Sequence, residues 1–182
     1  MQARNARPAG FTLIEALIVL AISAVLVGVA VPAWSNASES AHAGAVQAAL
    51  FESLVGAIDH SALSGSEVVL CPGDASGCRD SIDWSHGWVA WADLDGDRVR
   101  DPGETLLQAH AALGGEVHLR STSGRRRIVF QPNGGNAGSN VTFTLCDGRG
   151  PAQARALVLA NDGRLHASPA TATAAAACML PL

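Results

Sequence analysis

The chain has 182 residues and a formal charge of -4, from 12 basic against 16 acidic side chains, every basic one an arginine. That length suits one domain with an appendage, and the acidic balance excludes a general nucleic-acid coat while leaving room for local basic patches. At 48% hydrophobic and 15% charged the chain is too apolar for disorder, and no fixed-period repeat points to a solenoid or propeller.

Met1 to Gly10 form a polar leader with Arg4 and Arg7 and no acid. From Phe11 to Val31 the chain carries one charge, Glu15, and a helix of that length spans roughly 30 Å, one bilayer crossing. The positive leader is expected to stay cytoplasmic, which sends the residues after Pro32 to the far side of a bacterial inner membrane. A secretory signal peptide or a plain anchor shares the basic start and apolar stretch, and Val31-Pro32-Ala33 offers small residues for cleavage. Neither accounts for Glu15, because a carboxylate at membrane depth costs about 2.5 to 3.5 kcal/mol unless a partner compensates it.

Gly10-Phe11-Thr12-Leu13-Ile14-Glu15 before an apolar run resembles the processing site of type IV pilins and of the pseudopilins of type II secretion. The resemblance implies cleavage between Gly10 and Phe11 by a membrane-embedded prepilin peptidase and N-methylation of Phe11. It also implies an inner-membrane assembly platform that adds the chain to a filament of other pilins or pseudopilins. Glu15 would then be an assembly residue, its carboxylate pairing with the amino group of a neighbouring Phe11 and so setting the stagger between subunits.

Pro32 follows the apolar run and is expected to kink or locally unwind a continuing helix. The helical pattern resumes beyond it, with Val46, Leu50, Leu54 and Ile58 recurring at three- and four-residue spacing beside Ala49 and Ala57. Glu39, His42, Gln47 and Glu52 fall largely on another face. Leu63-Ser64-Gly65 supplies a stop. From residue 66 the period becomes two, between turn residues, which predicts strands near Glu67 to Cys71, Gly87 to Ala92, Thr105 to His110 and Val117 to Arg120. Four more are expected near Arg127 to Gln131, Val141 to Cys146, Arg155 to Ala160 and Arg164 to Ala167.

The expected fold class is α+β and pilin-like: a long N-terminal helix, half transmembrane and half amphipathic, packed on an antiparallel β-sheet domain. The organisation reads as leader 1–10, transmembrane helix 11–31, amphipathic continuation 32–65 and periplasmic β-rich domain 66–182. Trp84-Ser85-His86-Gly87-Trp88, Asp93-Leu94-Asp95-Gly96-Asp97, Gly103-Glu104 and Asn161-Asp162-Gly163-Arg164 together make residues 66 to 167 similar to the FimT/FimU minor pilins and secretion pseudopilin H.

Four cysteines allow three pairings, and proximity in sequence favours Cys71 with Cys78 and Cys146 with Cys178, the second tying down the low-complexity stretch Ala170 to Ala177. A periplasmic location permits both bridges, while a four-cysteine zinc site would lack the usual close C-x-x-C pairs.

Asp93, Asp95, Asp97, Asp101 and Glu104 match positions 1, 3, 5, 9 and 12 of an EF-hand calcium loop, except that the sixth position holds Arg98 instead of glycine and strands flank it. Calcium is thus the one candidate cofactor, against a solvated hairpin loop in which Asp and Gly serve the turn. The candidate DNA contacts are Arg164, Arg125, Arg126 and Arg127. In FimT-type minor pilins a Gly-Arg-x-Arg motif is associated with DNA binding in natural transformation. Gly163-Arg164-Leu165-His166 keeps its first arginine and replaces the second with a mostly uncharged histidine.

Strand alternation puts Trp88 and Ala90 on one face and Trp91 on the other, which reads as core. Asp83, Ser85 and His86 are close in sequence, but no nucleophile elbow or phosphate loop accompanies them, so no enzyme is expected. The function expected is a filament subunit of a type IV pilus, initiating it or standing at its tip, with DNA uptake as a further duty. The alternative is pseudopilin H of a type II secretion system without DNA binding.

Overall fold

The computed structural model describes residues 10–180, so the expectations for Arg4, Arg7 and the rest of the leader before Gly10 lie outside the described residues. The chain divides into two units, Met1–Ser38 and Glu39–Leu182, and the first helix, α1 (Leu13–Ser64), contributes to both.

In the first unit α1 is apolar and long enough to cross a membrane. It continues through Pro32, where a kink or unwinding was expected. A proline there removes one rung of the ladder and presses its ring on the carbonyl four residues back, which belongs to Gly28. In the second unit one stripe of α1 is buried, through Val46, Leu50, Leu54 and Ala57, with Ala49 and Ile58 partly covered. Two serines share this stripe. Ser53 Oγ donates to Ala49 O (2.8 Å), and Ser61 Oγ lies 2.9 Å from Ser66 O and 3.2 Å from Phe130 O, which satisfies hydroxyls that would otherwise be costly to bury. Gly65, at φ 74, ends the helix and donates its N–H to Ser61 O (3.0 Å).

Among the described residues nine strands follow: β1 (Glu67–Asp74), β2 (Gly77–Cys78), β3 (Trp88–Asp93), β4 (Leu106–His110), β5 (His118–Ser121), β6 (Ile128–Phe130), β7 (Val141–Cys146), β8 (Arg155–Leu159) and β9 (Leu165–Pro169). Eight coincide with the expected strands within three residues at either end. β2, only two residues long, carries no periodic signal. All pairings are antiparallel. One sheet runs β2-β1-β3-β4 with β6 on the other side of β1, and the second runs β5-β7-β8-β9. Gly87, at φ 100, precedes β3 where a Cβ would collide with the His110 carbonyl.

The main core lies between the α1 stripe and both sheets: Val68, Leu70, Trp88, Ala90, Ile128 and Phe130 from the first, and Leu119, Val141, Phe143, Leu157 and Leu159 from the second. Because alternate residues of a strand point to opposite faces, Val69, Cys71, Val89, Trp91 and Val129 form a second cluster on the other face of the first sheet. The expected split of Trp88 from Trp91 holds.

The alanine-rich stretch, read as a low-complexity tail, instead forms a helix, α2 (Ala172–Cys178), with Thr171 Oγ1 as N-cap accepting from Ala174 N at 3.3 Å. Seven residues are too few for an independent helix. Three things hold it: the bridge from Cys178 to Cys146, packing of Ala175 on Ala154, and Arg120, whose guanidinium donates to the Ala177 carbonyl (2.8 Å) and to that of Leu180. A cation at a helix C-terminus also complements the macrodipole. Cys178→Ser is expected to release α2 and to cost about 3–4 kcal/mol in the chain-entropy model, read as a lower chemical-denaturation midpoint than that of the oxidised parent.

Candidate functional site

The N-terminal site is built at the first turn of α1. Thr12 N and Thr12 Oγ1 both donate to Glu15 Oε2 (3.0 Å each), while Glu15 N donates back to Thr12 Oγ1 (3.3 Å). This is a capping box, in which two orphan donors of the helix start are satisfied reciprocally. Glu15 therefore fixes where the helix begins, and its Oε1 takes no hydrogen bond among the described residues. Phe11 beside it is 93% exposed. Thr12 escaped the sequence reading although Thr-x-x-Glu before an apolar run is the signature of this cap.

Both cysteine pairs are joined as proximity favoured, Cys71 with Cys78 and Cys146 with Cys178, and no free cysteine remains among the described residues.

In the β3–β4 loop the carboxylates of Asp93, Asp95 and Asp97 lie within 4.8 Å of one another, so of the five candidates these three converge closely enough to share a cation. Arg98 takes φ 62, the left-handed turn that an EF-hand loop gives to glycine. The oxygens are also engaged by backbone. Asp93 accepts from Gly96 N (2.9 Å) and Arg98 N (3.1 Å), and Glu104 from Leu94 N (3.0 Å) and Asp101 N (3.0 Å). Burial pushes the Asp93 carboxyl above its ordinary range, with the neighbouring charges of Glu104 and Asp95 adding to it.

The arginine triplet is dispersed. Arg125 turns inward and donates to Ala137 O (3.0 Å) and Asn136 Oδ1 (2.6 Å), and burial lowers its guanidinium pKa. Arg126 pairs with Asp80 (2.6 Å), and this hydrogen bond holds the Asp80 carboxyl below its usual range. Arg127 donates to Arg98 O (3.1 Å). Arg164 stands in the β8–β9 hairpin with its side chain 82% exposed and paired with Asp162 (2.7 Å). The Arg164 backbone N–H and then its guanidinium hold the Asp162 carboxyl low.

Ser85, Asp83 and His86 do not form a catalytic array. Ser85 Oγ accepts from Leu119 N (3.0 Å), Asp83 Oδ1 accepts from Ser85 N (2.9 Å), and His86 Nε2 stands 3.9 Å from Asp83. These bonds fasten the segment before β3 to β5.

The fold has counterparts among solved structures. The type IV minor pilin FimU of Pseudomonas aeruginosa superposes with a TM-score of 0.55 at 17% identity, covering 74% of this chain and 91% of that one. The minor pseudopilin EpsH from the type 2 secretion system of Vibrio cholerae gives 0.52 at 11% identity, covering 70% and 97%. No curated protein matches in sequence. Residues 5–31 match the prokaryotic N-terminal methylation motif, and residues 48–163 match the type II transport protein GspH. A capped apolar helix that leads into a two-sheet domain is thus matched at both ends, and the chain belongs to the GspH family of pilin-like, membrane-anchored subunits.

Proposed function

We propose that the chain is cleaved after Gly10, methylated on Phe11 and drawn by an assembly platform from the inner membrane into a filament, where it starts the polymer or stands at its tip. Its β-rich domain faces the periplasm before assembly. The observation that carries this reading is the capping box. It keeps a carboxylate at the head of a membrane-length helix, four residues after Phe11, with Oε1 accepting no hydrogen bond among the described residues. An amino group arriving from a neighbour offers that oxygen the compensation which membrane depth demands. The test is to shear filaments from cells and probe for the chain. Recovery with the filaments supports the reading, and confinement to the membrane fraction sinks it. Deletion then decides the system: loss of surface pili marks a pilus subunit, and periplasmic accumulation of exported proteins a secretion pseudopilin.

A second reading, DNA capture, is supported by the exposed Arg164 at its hairpin, although Asp162 already offsets part of that charge. Full-length chain in non-ionic detergent is titrated with duplex DNA at several salt concentrations. Under this reading the logarithm of the affinity falls linearly with the logarithm of salt, and Arg164→Ala weakens binding uniformly across sequences. Failure to bind at low salt removes DNA uptake and leaves assembly as the role.

A further inference from the structure

The face of the first sheet that carries Trp91 is overlaid by the Cys71–Cys78 hairpin and the β3–β4 loop, and between them runs an open groove of about 390 Å³. Four arginines from three separate segments line it: Arg79 after β2, Arg98 and Arg100 in the β3–β4 loop, and Arg127 before β6. Arg79 is offset by Asp74 (3.4 Å) and Arg98 by Glu67 (3.7 Å). Arg100 and Arg127 have no carboxylate within ion-pair distance among the described residues.

Two of the lining residues, Trp91 and Arg100, each carry a buried N–H without an acceptor among the described residues, Trp91 Nε1 and Arg100 Nε. Trp91 is fully buried. An indole N–H and a guanidinium can only donate, and a buried donor left unmatched is costly. Covering the second cluster with arginine stems explains why Trp91 is shielded from water. It does not explain two charged heads outside ion-pair distance of any described carboxylate, with Asp80 acting on Arg127 only from further away, beside two unmatched donors. A complementary ligand is all acceptor and carries about two negative charges, a demand that a phosphate dianion meets with its fan of oxygens and a single carboxylate does not.

We propose that this groove is a binding site for a phosphate monoester dianion, either free or on a lipid headgroup. Arg100 and Arg127 supply the charge, and Arg164, on which the DNA reading rests, does not line the groove.

The test uses full-length chain in non-ionic detergent titrated with inorganic phosphate, and separately with short-chain phosphatidic acid, by calorimetry. Saturable one-site binding is expected with one or both probes, the pattern identifying the source. The double variant Arg100→Gln, Arg127→Gln should weaken it roughly tenfold or more. Phosphate should also slow phenylglyoxal modification of Arg100 and Arg127 in the unaltered chain, but not that of Arg155, a readout that requires no variant to fold. Absence of saturation with both probes, or equal modification at all three arginines, overturns the proposal.

Discussion

Glu15→Ala is expected to leave the chain in the membrane and to remove it from filaments. The substitution deletes a carboxylate whose insertion costs about 2.5–3.5 kcal/mol, so anchoring by the apolar helix becomes easier, not harder. What disappears is the capping box with Thr12 and the only acidic group in the apolar segment from Phe11 to Val31. Loss of the cap alone is worth about 0.5–2 kcal/mol and only frays the first turn. Glu15→Gln separates the two roles, because its amide oxygen still accepts from Thr12 N while the charge is gone. Sheared filaments from cells with each variant should lack the chain in both cases if the charge drives assembly. Retention of the Gln variant alone would assign the role to the cap, and retention of both would discard the assembly role of Glu15.

Trp88→Ala should cost the domain about 3–5 kcal/mol, a large part of the stability of any domain of this size. The side chain is fully buried in β3 facing α1. Its Nε1 donates to Ser53 Oγ (2.9 Å), and its ring stacks on His110 with centroids 4.0 Å apart and 6° between planes. Removing it opens a cavity between helix and sheet and strips His110 of its stacking surface, while Ser53 keeps its bond to the Ala49 carbonyl. Trp88→Phe retains most of the volume and loses the hydrogen bond, so it should fall well short of that penalty. Guanidinium denaturation followed by near-UV circular dichroism measures both. A loss below about 1 kcal/mol for the alanine variant would mean that the helix and sheet are not held through this residue.

Much of this architecture was legible because it rests on short-range patterns. The run from Gly10 to Glu15, the alternation that separates Trp88 from Trp91 and the cysteine spacings each express a constraint within a few residues. What escaped was decided at long range. Ala172–Cys178 has the composition of a linker, and it becomes a helix because Cys146 and Arg120 hold its end. Arg125, Arg126 and Arg127 read as one patch, yet Asn136, Asp80 and Arg98 draw them apart. The same distances hid the groove, since Arg79, Arg100 and Arg127 are neighbours only after β1, β3 and β6 have paired. Ser53 and Ser61 break the apolar stripe of α1 for partners on β3 and β6, which helical periodicity cannot register.

The two bridges also set how far the domain can be stretched. A chain pulled taut gains roughly 3.3–3.6 Å per residue. The Cys146–Cys178 link spans 32 positions and the Cys71–Cys78 link 7, so together they withhold about 130 Å of slack from any applied tension. Force entering through α1 can peel strands, but β8, β9 and α2 stay inside a covalent ring. A domain loaded beyond its folding strength would therefore yield through the segment between the two bridges, while the rings keep their own residues from extending.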